Sequence, residues 1–212
     1  MKPSSPAGLP PTPDLVPNLD HVLNFFSGVA LLMAGRAEGL KRLDLSADGF
    51  WQSFSAMLVA LPPVALSWIE FETSAPRTGT AAGYGAVPVY GAHALADFLA
   101  WTLPILILML VAKRVGYSRK IVPLVVAKNW GGGLLGWAFA RYWLLVLAFG
   151  PGNGLSALGL LVTIASIALT VRLIYMATGK DMAGAAIITI GMIVISLVSY
   201  GAVMDLTGIR LI

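Results

Sequence analysis

Gly35–Trp68, GRAEGLKRLDLSADGFWQSFSAMLVALPPVALSW, runs from a charged collar directly into an apolar segment bounded by tryptophans. No residue from Phe50 to Trp68 carries a formal charge, and these nineteen residues make a helix long enough to cross a bilayer core of roughly 30 Å. Trp51 and Trp68 lie seventeen residues apart, about 26 Å at the helical rise, which sets their indoles near the two membrane interfaces. Ser46 stands where an N-cap is needed, and Asp48 falls in the first turn, where a negative charge suits the helix dipole. Pro62-Pro63 removes two amide donors past the midpoint, so this span is expected to kink or locally unwind.

Composition extends that reading to the whole chain. Of 212 residues, 58% are hydrophobic and 11% charged, with a mean hydropathy of +0.83; soluble domains carry about 25% charged residues. A soluble core of this size does not hide so much apolar surface. The absence of cysteine excludes disulfides, thiolate nucleophiles and cysteine-ligated metals. With His21 and His93 the only histidines, no metal centre and no other cofactor is expected. The net charge of +4 comes from short basic clusters beside apolar segments, which is an orientation signal and a poor footprint for nucleic acid.

The expected fold is all-α and integral to the membrane, with five transmembrane helices preceded by an interfacial amphipathic helix. Residues 1–17 hold six prolines and read as a disordered tail, with no secretory signal. Residues 18–48 form the interfacial helix and the collar. In DHVLNFFSGVALLMAG the apolar residues fall at three- and four-residue spacings, but the run is too short to span. It lies in the membrane plane, with Arg36, Lys41 and Arg42 against anionic headgroups, or packs across the other helices. Residues 49–212 carry the spans, at about 49–69, 88–112, 121–149, 155–176 and 182–205, and residues 70–87 read as a polar loop.

The polar residues inside the spans are the candidate site: His93, Asp97, Lys128 and Asn129. His93 and Asp97 share a helix face. Asp97 lies about 12 Å inside if its span starts at Val89 and about 6 Å inside if it starts at His93. The deeper placement makes a proton or cation site with His93, and the shallower a solvated interfacial pair, which is the simpler expectation. Lys128 and Arg141 are expected to snorkel to opposite surfaces, and Lys128 with Asn129 to hold an anion if the helix breaks at Gly131-Gly132-Gly133. Two small-residue ridges, Ala92/Ala96/Ala100 and Gly132/Gly136/Ala140, suggest close packing of the second and third spans.

No enzyme motif appears: there is no Walker A, HExxH, GxSxG or dinucleotide fingerprint, and Asp97 lacks a second carboxylate in its span. The expected role is therefore non-enzymatic, a membrane organiser or accessory subunit whose partners are the bilayer and a homo-oligomer or membrane complex. The alternative is a small transporter or channel with a polar path at His93, Asp97, Lys128 and Asn129. The run GLKRLDLSADGFWQSF, followed by LPPVALSW and later by AKNW, resembles a family of alphaproteobacterial multi-pass inner-membrane proteins loosely labelled transporters. A more distant similarity, in span number and N-terminal segment, is to the Yip-type five-span trafficking proteins. The resemblance implies a fold and a compartment, and it attaches no chemistry to Asp44, Asp48, Trp51, Pro62 or Trp130.

Orientation follows from the basic residues between spans. Lys2, Arg36, Lys41, Arg42, Lys113, Arg114, Arg119, Lys120 and Lys180 fall on one side, against Arg77 and Arg210 on the other. The positive-inside rule then puts the N-terminus in the cytoplasm of a bacterial inner membrane and the C-terminus in the periplasm. Reporter fusions after Thr78 and after Ile212 should report the periplasm, and one after Tyr117 the cytoplasm. A cytoplasmic signal from the C-terminal fusion would mean an even number of spans.

Overall fold

A computed structural model describes residues 17–74, 84–179 and 181–212; the proline-rich tail up to residue 16, Arg77 and Lys180 lie outside them. The chain is α-helical, with no strand among the described residues. Five helical stretches are long and apolar enough to cross a membrane, Ala47–Ser74, Ala86–Val111, Ser118–Phe149, Asn153–Ala177 and Met182–Thr207, and Leu19–Met33 is a shorter apolar helix. This is a multi-pass membrane protein. The helices are α1 (Leu19–Met33), α2 (Ala47–Gln52), α3 (Ala56–Val59), α4 (Leu61–Ser74), α5 (Ala86–Val111), α6 (Ile121–Phe149), α7 (Asn153–Ala177) and α8 (Met182–Thr207).

The first span is the segmented one. A 3₁₀ turn at Ser53–Ser55 and a break at Ala60 divide it into α2, α3 and α4; the break at Ala60 falls just before the two prolines, where an interruption is expected, whereas the turn at Ser53–Ser55 lies upstream of them. Pro63 has no N–H for the carbonyl of Val59 four residues back, and in hydrocarbon no water takes its place. The indole of Trp137 on α6 donates to that oxygen at 3.0 Å. Pro104 inside α5 frees the carbonyl of Ala100 in the same way, and the hydroxyl of Ser196 on α8 donates to it at 2.9 Å. The break in one helix thus becomes a cross-link to another.

The collar folds locally. Ser46 caps α2 by accepting from the Gly49 amide at 3.0 Å, a contact of about 1 kcal/mol. Asp44 in turn accepts from the Ser46 amide at 2.9 Å. A 3₁₀ helix, Ala37–Arg42, doubles back along α1, where Gly39 and Gly28 approach so closely that a Cβ at Gly28 would sit 2.9 Å from the Gly39 carbonyl. Arg42 donates to Ser27 at 2.7 Å, and Arg36, Lys41 and Arg42 are all exposed. Helix α1 is amphipathic, with one face packed on other helices. Val22, Phe25, Val29, Leu32 and Met33 are buried, against α6 and α7. Arg172 of α7 caps the far end of α1 at the Ala34 carbonyl, 2.9 Å away.

Helix α6 is continuous through its three glycines, so the hinge is not used. Successive residues on a helix point about 100° apart, and each glycine opens a different wall. A Cβ at Gly131 would run into Leu173 of α7; at Gly132 it would lie 3.2 Å from Trp101 of α5, and at Gly133 3.4 Å from Phe26 of α1. Trp130 beside them is 1% exposed and packs on Phe25 in a tilted arrangement with ring centroids 4.8 Å apart.

The spans follow one another round a ring in the order α4, α6, α7, α8, α5, each packed on the next. The α4–α5 seam is joined by Trp68 to Asp97 and by Glu72 to His93. The alanine ridge of α5 does not meet α6. Ala92 and Ala96 pack with Val203, Ile209 and Leu211 at α8 and beyond, because α8 is the ring neighbour on that face. Gly136 faces Pro63 of α4 at an ordinary contact distance, 3.8 Å for an added Cβ. Gly131→Ala should therefore destabilise the protein by about 1–3 kcal/mol through overpacking, and Gly136→Ala, which has room for its methyl group, should leave stability unchanged or raise it by up to about 1 kcal/mol. Thermal melts in one detergent read the difference; equal melts for both variants would refute this account of the hub.

Candidate functional site: an intramembrane cavity with two unpaired opposite charges

One face of α5 carries His93, Asp97 and Trp101 at successive turns, and each side chain is held by a different helix. At the outer turn, His93 is 3% exposed and its Nε2 lies 3.0 Å from Oε1 of Glu72 on α4. The imidazole is stacked on Trp68 and meets the edge of Phe71. Glu72 was hidden from sequence reasoning because residues 70–87 read as a loop. In the structure α4 runs on to Ser74, since nothing between Trp68 and Ser74 breaks a helix, and α5 already begins at Ala86. The partner of His93 is thus Glu72 across the ring seam, and the expected His93–Asp97 pair is not formed.

One turn further, Asp97 accepts from the indole of Trp68 at 2.6 Å and from the hydroxyl of Tyr200 on α8. It lies eleven residues into α5, about 16 Å along the helix axis from its start. Neither donor was legible as a partner. Trp68 read as an interfacial anchor, and Tyr200 lies 103 residues away in the chain.

A turn beyond that, Trp101 donates to Oδ1 of Asn129 at 2.9 Å, and Asn129 donates to Ser53 at 3.0 Å. Asn129 and Ser53 are each 0% exposed. Asn129 therefore ties α5, α6 and the first span together and is not open to a ligand. Lys128 departs from its expected course. It does not snorkel toward the basic end of α6; its Nζ lies 3.3 Å from the Trp101 carbonyl and 4.6 Å from the centre of the Trp101 ring. Among the described residues, no carboxylate lies within ion-pair distance of Lys128.

Asp97 and Lys128 line one cavity of about 370 Å³, walled by Met57, Leu61, Val64, Phe98 and Met192. Lys128, Met192 and Ser196 also line a second cavity, of about 710 Å³, between α7 and α8. This one is hydroxyl-rich, with Thr163, Ser166, Thr170, Thr189 and Tyr200. Lys128 thus stands at the partition between the two. Of the sequence-derived candidates, two share the cavity, His93 lies one turn outside it, and Asn129 belongs to the scaffold. Among the described residues no group of three or more His, Cys, Asp or Glu side chains is assembled to hold a metal ion.

The collar residues Arg36, Lys41 and Arg42 lie away from this cavity, at the basic end. That end carries one further polar contact. Asp181 caps α8 through the Gly184 amide at 3.0 Å and accepts from the Tyr117 hydroxyl of the α5–α6 connection. The Tyr117 hydrogen bond, then the Gly184 amide, hold the Asp181 carboxyl below its ordinary range. Burial, then Asp181, push the Tyr117 phenol up to about 12.

The fold and site define a five-helix membrane ring with a cavity between its spans lined by Asp97 and Lys128. Compared with protein-family models, curated proteins and solved structures, the chain shows no match.

The Tyr117–Asp181 contact has a two-sided pH dependence. The lowered Asp181 value contributes stability at pH above the unfolded carboxylate range, lost as pH falls through the folded value. The raised Tyr117 value contributes stability below about pH 10, lost as pH rises toward about 12. Tyr117→Phe should flatten both edges of a melting-temperature profile against pH, and an unchanged profile would remove this contact as their cause.

Proposed function

We propose that the protein is a carrier or channel for a small polar solute in a bacterial inner membrane, with its N-terminus in the cytoplasm, and that Asp97 and Lys128 form its binding site. One observation carries this reading: two opposite charges line a single cavity within the spans without pairing with each other. Each charge within hydrocarbon costs about 2.5–3.5 kcal/mol on insertion scales, and such groups ordinarily pair or face water. Holding them apart leaves the cavity polar at two points and apolar between them, the character of a solute site. The second cavity extends the path past Lys128 along hydroxyl groups. The reading requires no covalent step, cofactor or second carboxylate.

The membrane-organiser reading is supported by a different observation. Arg36 and Lys41 are exposed beside the α1 hairpin, together with Lys113, Arg114 and Arg119 at the same end, which suits an anionic lipid surface. Proteoliposome uptake of a labelled panel of amino acids, organic acids and amines separates the two. The carrier reading expects uptake of at least one member, reduced to the empty-vesicle rate by Lys128→Met and by Asp97→Asn, with folding intact by melting temperature. Uptake equal to that of empty vesicles for the whole panel, with altered membrane organisation in the Arg36/Lys41/Arg42→Ala variant, would decide for the organiser.

A further inference from the structure

We infer that the ligand of the Asp97–Lys128 cavity is zwitterionic, a molecule that carries an ammonium and a carboxylate separated by several bonds. The inference rests on the carrier reading and names its substrate class. Its basis is the way the two charges are kept apart. Oppositely charged groups facing one low-dielectric cavity attract strongly, yet each is tethered elsewhere. Asp97 is clamped from two sides by Trp68 and Tyr200. Lys128 is drawn to the carbonyl and ring of Trp101, one turn along α5 and so about 6 Å further down the axis.

The carbonyl of Trp101 is not an arbitrary tether. It lies in the turn before Pro104, next to the Ala100 carbonyl that the proline leaves without its helical donor. Pro104 itself lines the cavity. The Trp101 carbonyl and ring therefore set the position of the ammonium, and the indole–phenol clamp sets the position of the carboxylate. Between them the walls are apolar, from Met57, Leu61, Val64, Phe98 and Met192. A guest with one charge would satisfy one pole and leave the other unmet. A guest with both charges and a short methylene chain would meet the two poles and the wall together: its ammonium toward Asp97, its carboxylate toward Lys128.

The volume is compatible. About 370 Å³ is at the lower end of ligand-site volumes and about twelve times the share of one water molecule in the liquid. The spacing disfavours α-amino acids, whose charges are adjacent, and favours longer ω-amino acids.

The test is isothermal calorimetry on the full chain in lipid nanodiscs with a ladder of probes: glycine, β-alanine, γ-aminobutyrate, δ-aminovalerate and ε-aminocaproate. Pentylamine and pentanoate serve as analogues that carry one charge each. The expected result is an optimum beyond β-alanine, binding at least about tenfold tighter than either single-charge analogue, a difference of about 1.4 kcal/mol. Lys128→Met should reduce the best zwitterion to the affinity of pentylamine, and Asp97→Asn to that of pentanoate. Lys128→Arg should retain binding, with the optimum moved along the ladder. If pentylamine or pentanoate binds as tightly as the best zwitterion, the assignment is overturned while the cavity remains a ligand site. If nothing in the ladder binds although uptake of another solute depends on Lys128, the inference fails and the carrier reading stands. If neither binding nor Lys128-dependent uptake is found, both fail.

Discussion

In the hydrocarbon region a backbone carbonyl without a donor has no water to turn to, and the architecture is arranged around the places where prolines create that problem. Pro63 frees Val59 and Pro104 frees Ala100, and each oxygen is met by a side chain from another span, Trp137 of α6 and Ser196 of α8. These repairs cross-link α3 to α6 and α5 to α8, two contacts that the ring requires. Leaving such an acceptor unmet costs about 1–3 kcal/mol, more than a typical surface ion pair contributes. Defects in single helices thus specify which helices are neighbours.

The same economy of partners explains α6. The sequence Lys128-Asn129-Trp130-Gly131-Gly132-Gly133 is poor helix material on propensity alone, since glycine costs about 1 kcal/mol per residue against alanine. It stays helical because absent side chains let Leu173, Trp101 and Phe26 approach from three directions, while Trp130 fills the space facing α1. Asn129 then joins Trp101 to Ser53 with no exposed surface. Among the described residues no buried side-chain nitrogen or oxygen lacks a hydrogen-bond partner, so the polar network is complete. A complete network favours one packing over its alternatives.

Against that background the cavity between Asp97 and Lys128 stands out. Elsewhere inside the ring, polar groups meet one another at hydrogen-bond distance. Here two opposite charges face the same space and are each held by other groups. Apolar side chains of α3, α4, α5 and α8 form the rest of the wall, so the site combines a scaffold of short contacts with an interior that nothing from the chain fills.

The number of spans, the apolar class and the cap at Ser46 were determined by the sequence itself. They depend on runs of adjacent residues, and the cost of exposing backbone in lipid makes a long uncharged run into a helix whatever its neighbours are. The candidate residues His93, Asp97 and Lys128 were legible for the same reason, as polar groups inside such runs. Their partners were not. Glu72 sat in what read as a loop, Trp68 looked like an interfacial anchor, and Tyr200 is far away in the chain. The alanine ridge of α5 announced close packing without saying that α8, and not α6, would receive it. The glycine run was compatible with both a hinge and a seam. Only the tertiary structure decided these points, because helix spacing shows which residues share a face, while the order of helices round the ring determines what that face meets.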